Sequence, residues 1–211
     1  MQVTILGATG RIGSLVLAAV LAAGHSAKIL TRGVPSIPDR DTVTAIRGDI
    51  ADPEAVRRAV DASEVVVAAL GARSNDLDAE VALELGMRNL VAAMTDAGVT
   101  RLVALSGAAV DVPGDAKPVV DRAVSRVVRL AARHVVGAKQ REYAVFAASA
   151  LAWTALRPAI VTNGPPRGYQ LSERLRPGAR VTRADVAAAI VDQLADRRFI
   201  RAAPFVLPKE G

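Results

Sequence analysis

The sequence predicts an α/β protein: one mostly parallel sheet, doubly wound, with helices on both faces. Three observations predict it. Apolar runs of strand length alternate with runs of helical spacing along all 211 residues. The stretch EVVVAALGA, residues 64–72, is apolar almost throughout, as a strand buried on both faces should be. Three glycines spaced three apart, Gly7, Gly10 and Gly13, stand where the first strand gives way to the first helix.

Taken in order, VTILG (3–7) is the first strand, and RIGSLVLAAVLAAG (11–24) is a helix stopped at Gly24. AKILTR (27–32) is the second strand. VPSIPDRD (34–41) carries two prolines and is a loop. VTAIRGD (43–49) is the third strand. DPEAVRRAVDAS (52–63) is a helix with Asp52 as N-cap and Pro53 in the first helical position. After the fourth strand, residues 78–98 form a long helix ending at Gly98, and RLVALSGA (101–108) is the fifth strand. VDVPGDAKP (110–118) is a loop. Residues 119–149 have helical spacing, with Gly137 as the expected break. AWTALRPAIVT (152–162) is the sixth strand, stopped near Pro158, and NGPPRG (163–168) is a loop. Thr182 followed by Asp185 is a capping-box pattern that starts a last helix, and PFVL (204–207) is a short final strand. No repeat, linker or low-complexity stretch divides the chain, so residues 1–211 are expected to form a single domain.

Composition narrows the function. With 51% apolar and 23% charged residues, the chain has the makings of a sizeable core. There is no cysteine, which excludes disulfides and thiolate metal sites. His25 and His134 are isolated, so no metal site is expected. The first strand begins at Val3 without a basic leader, and no apolar run is long enough to span a bilayer; the cytoplasm is the expected location, with no membrane partner. The net charge of +6 fits nucleic acid, a small polyanionic ligand or simply a solvated, arginine-rich surface; the arginines are scattered and aromatics are few, which argues against nucleic acid.

The glycine turn names the ligand. A strand–turn–helix at the N-terminus of such a sheet is where a dinucleotide binds. Glycine lets the chain turn tightly and brings a pyrophosphate close to the backbone, and free N–H groups at the helix start face the phosphates. The spacing is GxxGxxG rather than GxGxxG. NAD-selective sites place an acid about 20 residues further on to accept from the ribose 2′-hydroxyl. Here no Asp or Glu precedes Asp39, and the second strand ends in Arg32, a cation suited to a 2′-phosphate. The cofactor is therefore expected to be NADP(H).

The stretches GATGRIG, TRG, RGDIADPEAV, VVVAALGA, RNLVAAMTDAGVTRLVALSGA, WTALRPAIVT and TRADVAAAI fall in an order that resembles the atypical short-chain dehydrogenase/reductases of the NAD(P)H-binding, NmrA-like group. The stretch 71–105 is most similar to the biliverdin-IXβ reductase/flavin reductase branch. The resemblance covers nearly the whole chain and implies a Rossmann fold with a small C-terminal substrate cap. It implies that Thr9, Gly10, Arg11 and Ile12 form the phosphate loop with Gly7 and Gly13. It implies that Arg32 meets the 2′-phosphate, and that Asp49 and Ile50 flank the adenine. Ala69, Leu70, Gly71 and Arg73 would touch ribose and phosphates. Ser106, Pro158, Ala159 and Ile160 would surround the nicotinamide.

One departure bears on chemistry. Members of the wider family carry a Tyr-x-x-x-Lys pair. If Lys139 is that lysine, the tyrosine position is Val135. The usual proton donor is missing, which turns the expectation from alcohol–ketone chemistry towards NADPH-dependent hydride transfer to a flavin, quinone or similar small acceptor. Ser106 and Lys139 are the candidate catalytic residues. Ser106 is no hydrolase nucleophile, because LSGA lacks the GxSxG elbow. His134 is a further candidate proton donor, and Asn89 a candidate for facing the site. The alternative is a non-catalytic, dinucleotide-sensing regulator of NmrA-like type. A sugar-nucleotide epimerase is less favoured, since 211 residues leave little substrate domain.

Overall fold

The computed structural model describes residues 1–33, 41–71, 74–115 and 133–210. Most of the expected loop 34–41, residues 119–132 of the expected helix and Gly211 lie outside them. Six strands follow the expected order: β1 (Gln2–Leu6), β2 (Ser26–Thr31), β3 (Val43–Arg47), β4 (Val65–Ala68), β5 (Arg101–Leu105) and β6 (Ala152–Pro158). The later strands are β7 (Ile160–Thr162), β8 (Tyr169–Ser172), β9 (Arg180–Thr182) and β10 (Phe205–Pro208). The eight-stranded sheet runs β3-β2-β1-β4-β5-β6-β10-β8; every neighbouring pair is parallel except β8 with β10. The reversal of direction in strand order between β1 and β4 is the point where a doubly wound sheet opens a crevice.

The helices are α1 (Gly13–Ala22), α2 (Pro53–Val60), α3 (Leu77–Asp96), α4 (described over Arg133–Ala147) and α5 (Arg183–Asp192). Strand residues alternate between two apolar layers. Val65 and Val67 pack in one with Val16 and Val20 of α1 and Val186 and Ile190 of α5. Val66 and Ala68 pack in the other with Val56 of α2, Met87 and Leu90 of α3, and Phe146 of α4. The strands are apolar on both faces because both faces are covered. Among the described residues no helix is long and apolar enough to cross a membrane.

Local signals behave as their chemistry requires. Asp52 caps α2 by accepting from the Glu54 and Ala55 N–H groups at 3.0 and 3.3 Å. Thr182 accepts from the Asp185 N–H at 3.1 Å. The Asp185 carboxylate faces back onto Thr182, whose hydroxyl and backbone both help to hold its pKa down, as a capping box requires. It takes the Thr182 hydroxyl and the Arg167 and Gly168 N–H groups, fastening the 163–168 loop to α5.

One expectation is corrected, and two details are added. Gly137 does not break its helix: α4 runs through it. A Cβ there would lie 2.6 Å from Glu80 Oε1, so the missing side chain serves the close approach of α4 to α3. The sixth strand stops where Pro158 is expected to stop it. Beyond it, Ile160–Thr162 leaves to pair with β9 in a separate two-stranded sheet. Strand β8, unread in the sequence, is the antiparallel edge, and its short polar run YQLS has too little apolar character to signal a strand.

The turn between β1 and α1 depends on two glycines. Gly7 has φ +86°, and a Cβ there would sit 2.4 Å from the Ala69 carbonyl oxygen. A Cβ on Gly13 would lie 2.0 Å from the Gly7 carbonyl oxygen, whereas one on Gly10 comes no closer than 3.1 Å to it. Gly13→Ala is therefore expected to destabilise the fold by about 1–3 kcal/mol, as overpacking does. Gly10→Ala is expected to cost clearly less. Urea denaturation of the two variants measures the difference.

Candidate functional site

The carboxyl ends of β1, β2, β3 and β4 open into a cleft of about 620 Å³. Gly7, Thr9 and Gly10 line it from the first turn, Thr31 and Arg32 from the end of β2, and Asp49 and Ile50 from the end of β3. Ala69, Leu70 and Gly71 line it from the end of β4. All of those just named except Thr31 were picked from the sequence, nine residues in all, and Gly13 packs beneath the turn. Arg11 is exposed and Ile12 half-buried at the helix start; neither lines the cleft. Arg73 lies outside the described residues.

The end of α1 that meets this cleft is made for an anion. Its N-cap residue, Ile12, supplies no side-chain acceptor, and the first turn holds no acid. The Ser14 N–H is taken by the Gly10 carbonyl at 2.9 Å, while the positive end of the helix dipole faces whatever binds at the turn. At the far end, Arg32 Nε lies 3.8 Å from Asp49 Oδ2. Asn89 does not line the cleft. Its Nδ2 donates to the Ile50 carbonyl at 3.0 Å, and Ile50 packs over Gly86, where a Cβ would lie 2.6 Å from Ile50 Cγ2. Asn89 and Gly86 hold Ile50 in place from behind.

The second group of candidates lies further along the same carboxyl edge. Ser106 follows β5; its N–H donates to the Leu156 carbonyl at 2.8 Å, and its buried hydroxyl has no partner among the described residues. A buried orphan hydroxyl at a strand end fits a ligand that supplies the missing partner. Pro158 ends β6. Ala159 donates to the Val206 carbonyl and Ile160 to the Ala179 carbonyl, which carries the chain out over β10 and β9. The loop after β5 is pinned by Arg157, whose guanidinium clasps Asp115 at 2.5 and 2.6 Å, donates to the Ala203 carbonyl and lies 3.9 Å from the Phe205 ring centroid.

Lys139 is neither solvated nor free. Its ammonium donates to the Leu70 carbonyl at 2.7 Å, the Leu105 carbonyl at 2.6 Å and Glu142 Oε2 at 2.6 Å. An ammonium has three donors, and all three are engaged. The side chain therefore ties the ends of β4 and β5 together. Glu142, 1% exposed, is its counter-ion; burial pushes its carboxyl pKa up, and Lys139 pulls against that shift. Glu142 escaped the sequence analysis, although its i,i+3 spacing from Lys139 was a usable signal. His134 is similarly committed, with Nδ1 3.0 Å from Glu80 Oε2. Val135, at the position of the missing tyrosine, donates its N–H to Asn75 Oδ1 at 3.3 Å.

The sequence analysis also missed the contribution of α3. Ser74, Asp76, Asp78, Ala79, Ala82 and Leu83 line the cleft. The Ser74 hydroxyl and the Ala79 N–H hold the Asp76 carboxyl below its ordinary pKa, so it is anionic. Asp76 is the N-cap of α3, accepting from the Ala79 N–H at 2.8 Å, two residues before the expected start of the helix. Among the described residues no cluster of His, Cys, Asp and Glu could hold a metal.

Comparison with known proteins agrees with this geometry. Residues 7–197 match the model of the NAD(P)H-binding family, and the chain belongs to that family. A short-chain dehydrogenase/reductase from Veillonella parvula, solved in complex with NADP, superposes with a TM-score of 0.79 at 26% identity, over 100% of this chain and 95% of that one. The anaerobilin reductase ChuY from Escherichia coli has the same fold, with a TM-score of 0.78 at 18% identity over 100% and 98% of the two chains. A Rossmann-fold NAD(P)-binding protein from Shigella flexneri gives 0.70 at 22% identity over 100% and 96%. The protein has a nicotinamide-dinucleotide-binding Rossmann fold.

The Lys139–Glu142 pair yields a stability prediction. Lys139→Met leaves a carboxyl buried without its counter-ion and is expected to cost about 3–5 kcal/mol. Adding Glu142→Leu removes the stranded group, and the double variant is expected to regain much of the loss. Chemical denaturation of the single and double variants checks both.

Proposed function

We propose that the protein is an NADPH-dependent reductase that passes hydride to a flavin, quinone or similar small acceptor, with residues 1–211 acting as one dinucleotide-binding unit. The observation that carries it is the pairing, on one sheet edge, of a cleft of about 620 Å³ that reaches Arg32 with a buried hydroxyl at Ser106 that has no partner among the described residues. In this reading Gly7, Thr9, Gly10, Arg11, Ile12 and Gly13 receive the pyrophosphate, and Arg32 the 2′-phosphate. Asp49 and Ile50 flank the adenine; Ala69, Leu70, Gly71 and Arg73 meet ribose and phosphates. Pro158, Ala159 and Ile160 border the nicotinamide.

The reduced nicotinamide, when bound, supplies the hydride. The chain's own residues orient and exclude water. Ser106 donates or accepts one hydrogen bond beside the reacting ring. Lys139 acts here as a positioning residue, holding the Leu70 and Leu105 carbonyls, because its three protons are already engaged. No tyrosine stands at position 135, so the proton that follows the hydride comes from solvent. Flavins and quinones accept that sequence; an unactivated ketone does not. One observation favours the rival reading, a dinucleotide-sensing regulator: Val135 and the saturated Lys139 leave no acid–base pair at the site.

Mixing the protein with NADPH and a panel of flavins, quinones and simple ketones, and following nicotinamide absorbance, separates the two. Turnover of flavin or quinone but not ketone is the expected result. Tight binding without turnover of any acceptor would put the regulator first, and ketone turnover alone would refute the mechanism. Ser106→Ala is expected to slow turnover about 5- to 150-fold with NADPH affinity nearly unchanged, the effect of losing one hydrogen bond worth roughly 1–3 kcal/mol.

The cofactor assignment has its own test. NADPH is expected to bind at least about tenfold tighter than NADH, one charge-assisted contact being worth roughly 1.5–3 kcal/mol. Arg32→Ala is expected to erase most of that preference. Gly10→Val is expected to weaken binding sharply while leaving the circular dichroism spectrum intact, since a Cβ there lies 3.1 Å from the Gly7 carbonyl oxygen, a far milder contact than at Gly7 or Gly13. Titration by fluorescence measures all three.

A further inference from the structure

The acid that the end of β2 lacks is supplied by the end of β3. Strands β2 and β3 are parallel neighbours with Thr31 opposite Arg47, and the Gly48 N–H donates to the Thr31 carbonyl at 2.9 Å. The residues that follow, Arg32 and Asp49, are therefore brought side by side, with Nε 3.8 Å from Oδ2, and both line the cleft. Asp49 is not a loose surface carboxylate. Its Oδ1 accepts from the Ala51 N–H at 3.0 Å, and its carbonyl accepts from the Asp52 N–H at 3.0 Å. Gly48 lets this turn lie against α2: a Cβ there would be 2.3 Å from the Ala55 Cβ. The carboxylate is held in the place it occupies.

We infer that Asp49 is a second determinant of cofactor choice, which keeps NADH usable by opposing Arg32. The inference rests on the reading of this cleft as the site of the dinucleotide and of Arg32 as its 2′-phosphate contact. A 2′-hydroxyl is a donor that needs an acceptor, and a carboxylate at this end of the cleft is the acceptor that NAD-selective sites use. A 2′-phosphate carries negative charge and is drawn to Arg32, but it must then lie beside the fixed negative charge of Asp49, which repels it. One site thus holds a determinant for each cofactor, from two different strands. Arg32 sets the direction of the preference, and Asp49 limits its size.

Asp49→Asn isolates the charge. Asparagine keeps an oxygen for the Ala51 N–H, so the turn survives, and a general loss of adenine packing weakens both cofactors alike. The measured quantity is the ratio of the NADH to the NADPH dissociation constant, titrated at low and high salt for wild type, Arg32→Ala, Asp49→Asn and the double variant. Asp49→Asn is expected to raise the ratio about 3- to 10-fold at low salt, with a smaller rise at high salt, as for two partly exposed charges. A ratio that stays within about twofold of wild type, or falls, overturns the role of Asp49 even when Arg32→Ala behaves as described above. A ratio untouched by Arg32→Ala overturns the parent reading of Arg32 instead. If wild type binds neither cofactor, both readings fall together.

Discussion

Three stretches of backbone meet at Gly7, and the structure can bring them together only because no side chain is there. The Gly7 carbonyl rests against the Cα of Gly13, and Gly7 itself against the Ala69 carbonyl, at separations that a single Cβ would close to 2.0 and 2.4 Å. This steric condition sets the angle at which α1 leaves the sheet and keeps the end of β4 beside the first turn. The placement of the N-terminal end of α1 at the cleft follows from it, as does the floor of the cleft. The start of α1 has no side-chain cap, the condition under which helix N-termini in general receive phosphate groups.

Beyond the last ladder bonds, the strand ends present carbonyl oxygens that need donors, and buried cations provide them. Lys139 takes those of Leu70 and Leu105, while Arg157 takes those of Ala203 and Val110. At the opposite end of β5, Arg101 donates to the Ala152, Gln193 and Asp196 carbonyls. Burial brings its pKa down to about 10, which still leaves it charged at neutral pH. Each of these cations has a positional task, so part of the strongly basic composition is internal. The net charge of +6 is thus a poor guide to a polyanionic partner.

The same commitment of charged groups shapes the chemistry available along the carboxyl edge. Lys139 is bound to Glu142, His134 to Glu80, and Glu80 also to Arg141 at 2.7 Å. These contacts lock α4 onto α3 and the sheet. They leave the hydroxyl of Ser106 as the buried polar group at the end of β5 that has no described partner. A site so furnished is suited to orienting a reactive cofactor and poorly suited to strong acid catalysis.

How much of this was legible in the sequence differs between elements for physical reasons. The alternation of strands and helices, the caps at Asp52 and Thr182 and the glycine turn were all readable, because apolar periodicity and capping chemistry are local. The cleft residues contributed by the β1, β2, β3 and β4 ends were readable too, since a parallel sheet must place its strand ends on one edge. The sequence did not reveal that Gly137 marks a helix contact rather than a helix break, for the reason lies in Glu80, 57 positions away. Nor did it reveal β8, whose polar run becomes a strand only because β10 offers an edge to pair with. The loss of freedom at Lys139 and the meeting of Arg32 with Asp49 also required the tertiary structure. Charge and hydrogen-bonding capacity are written in single residues, but which partner satisfies them is decided by strand register and helix packing, and these act between segments that the sequence holds far apart.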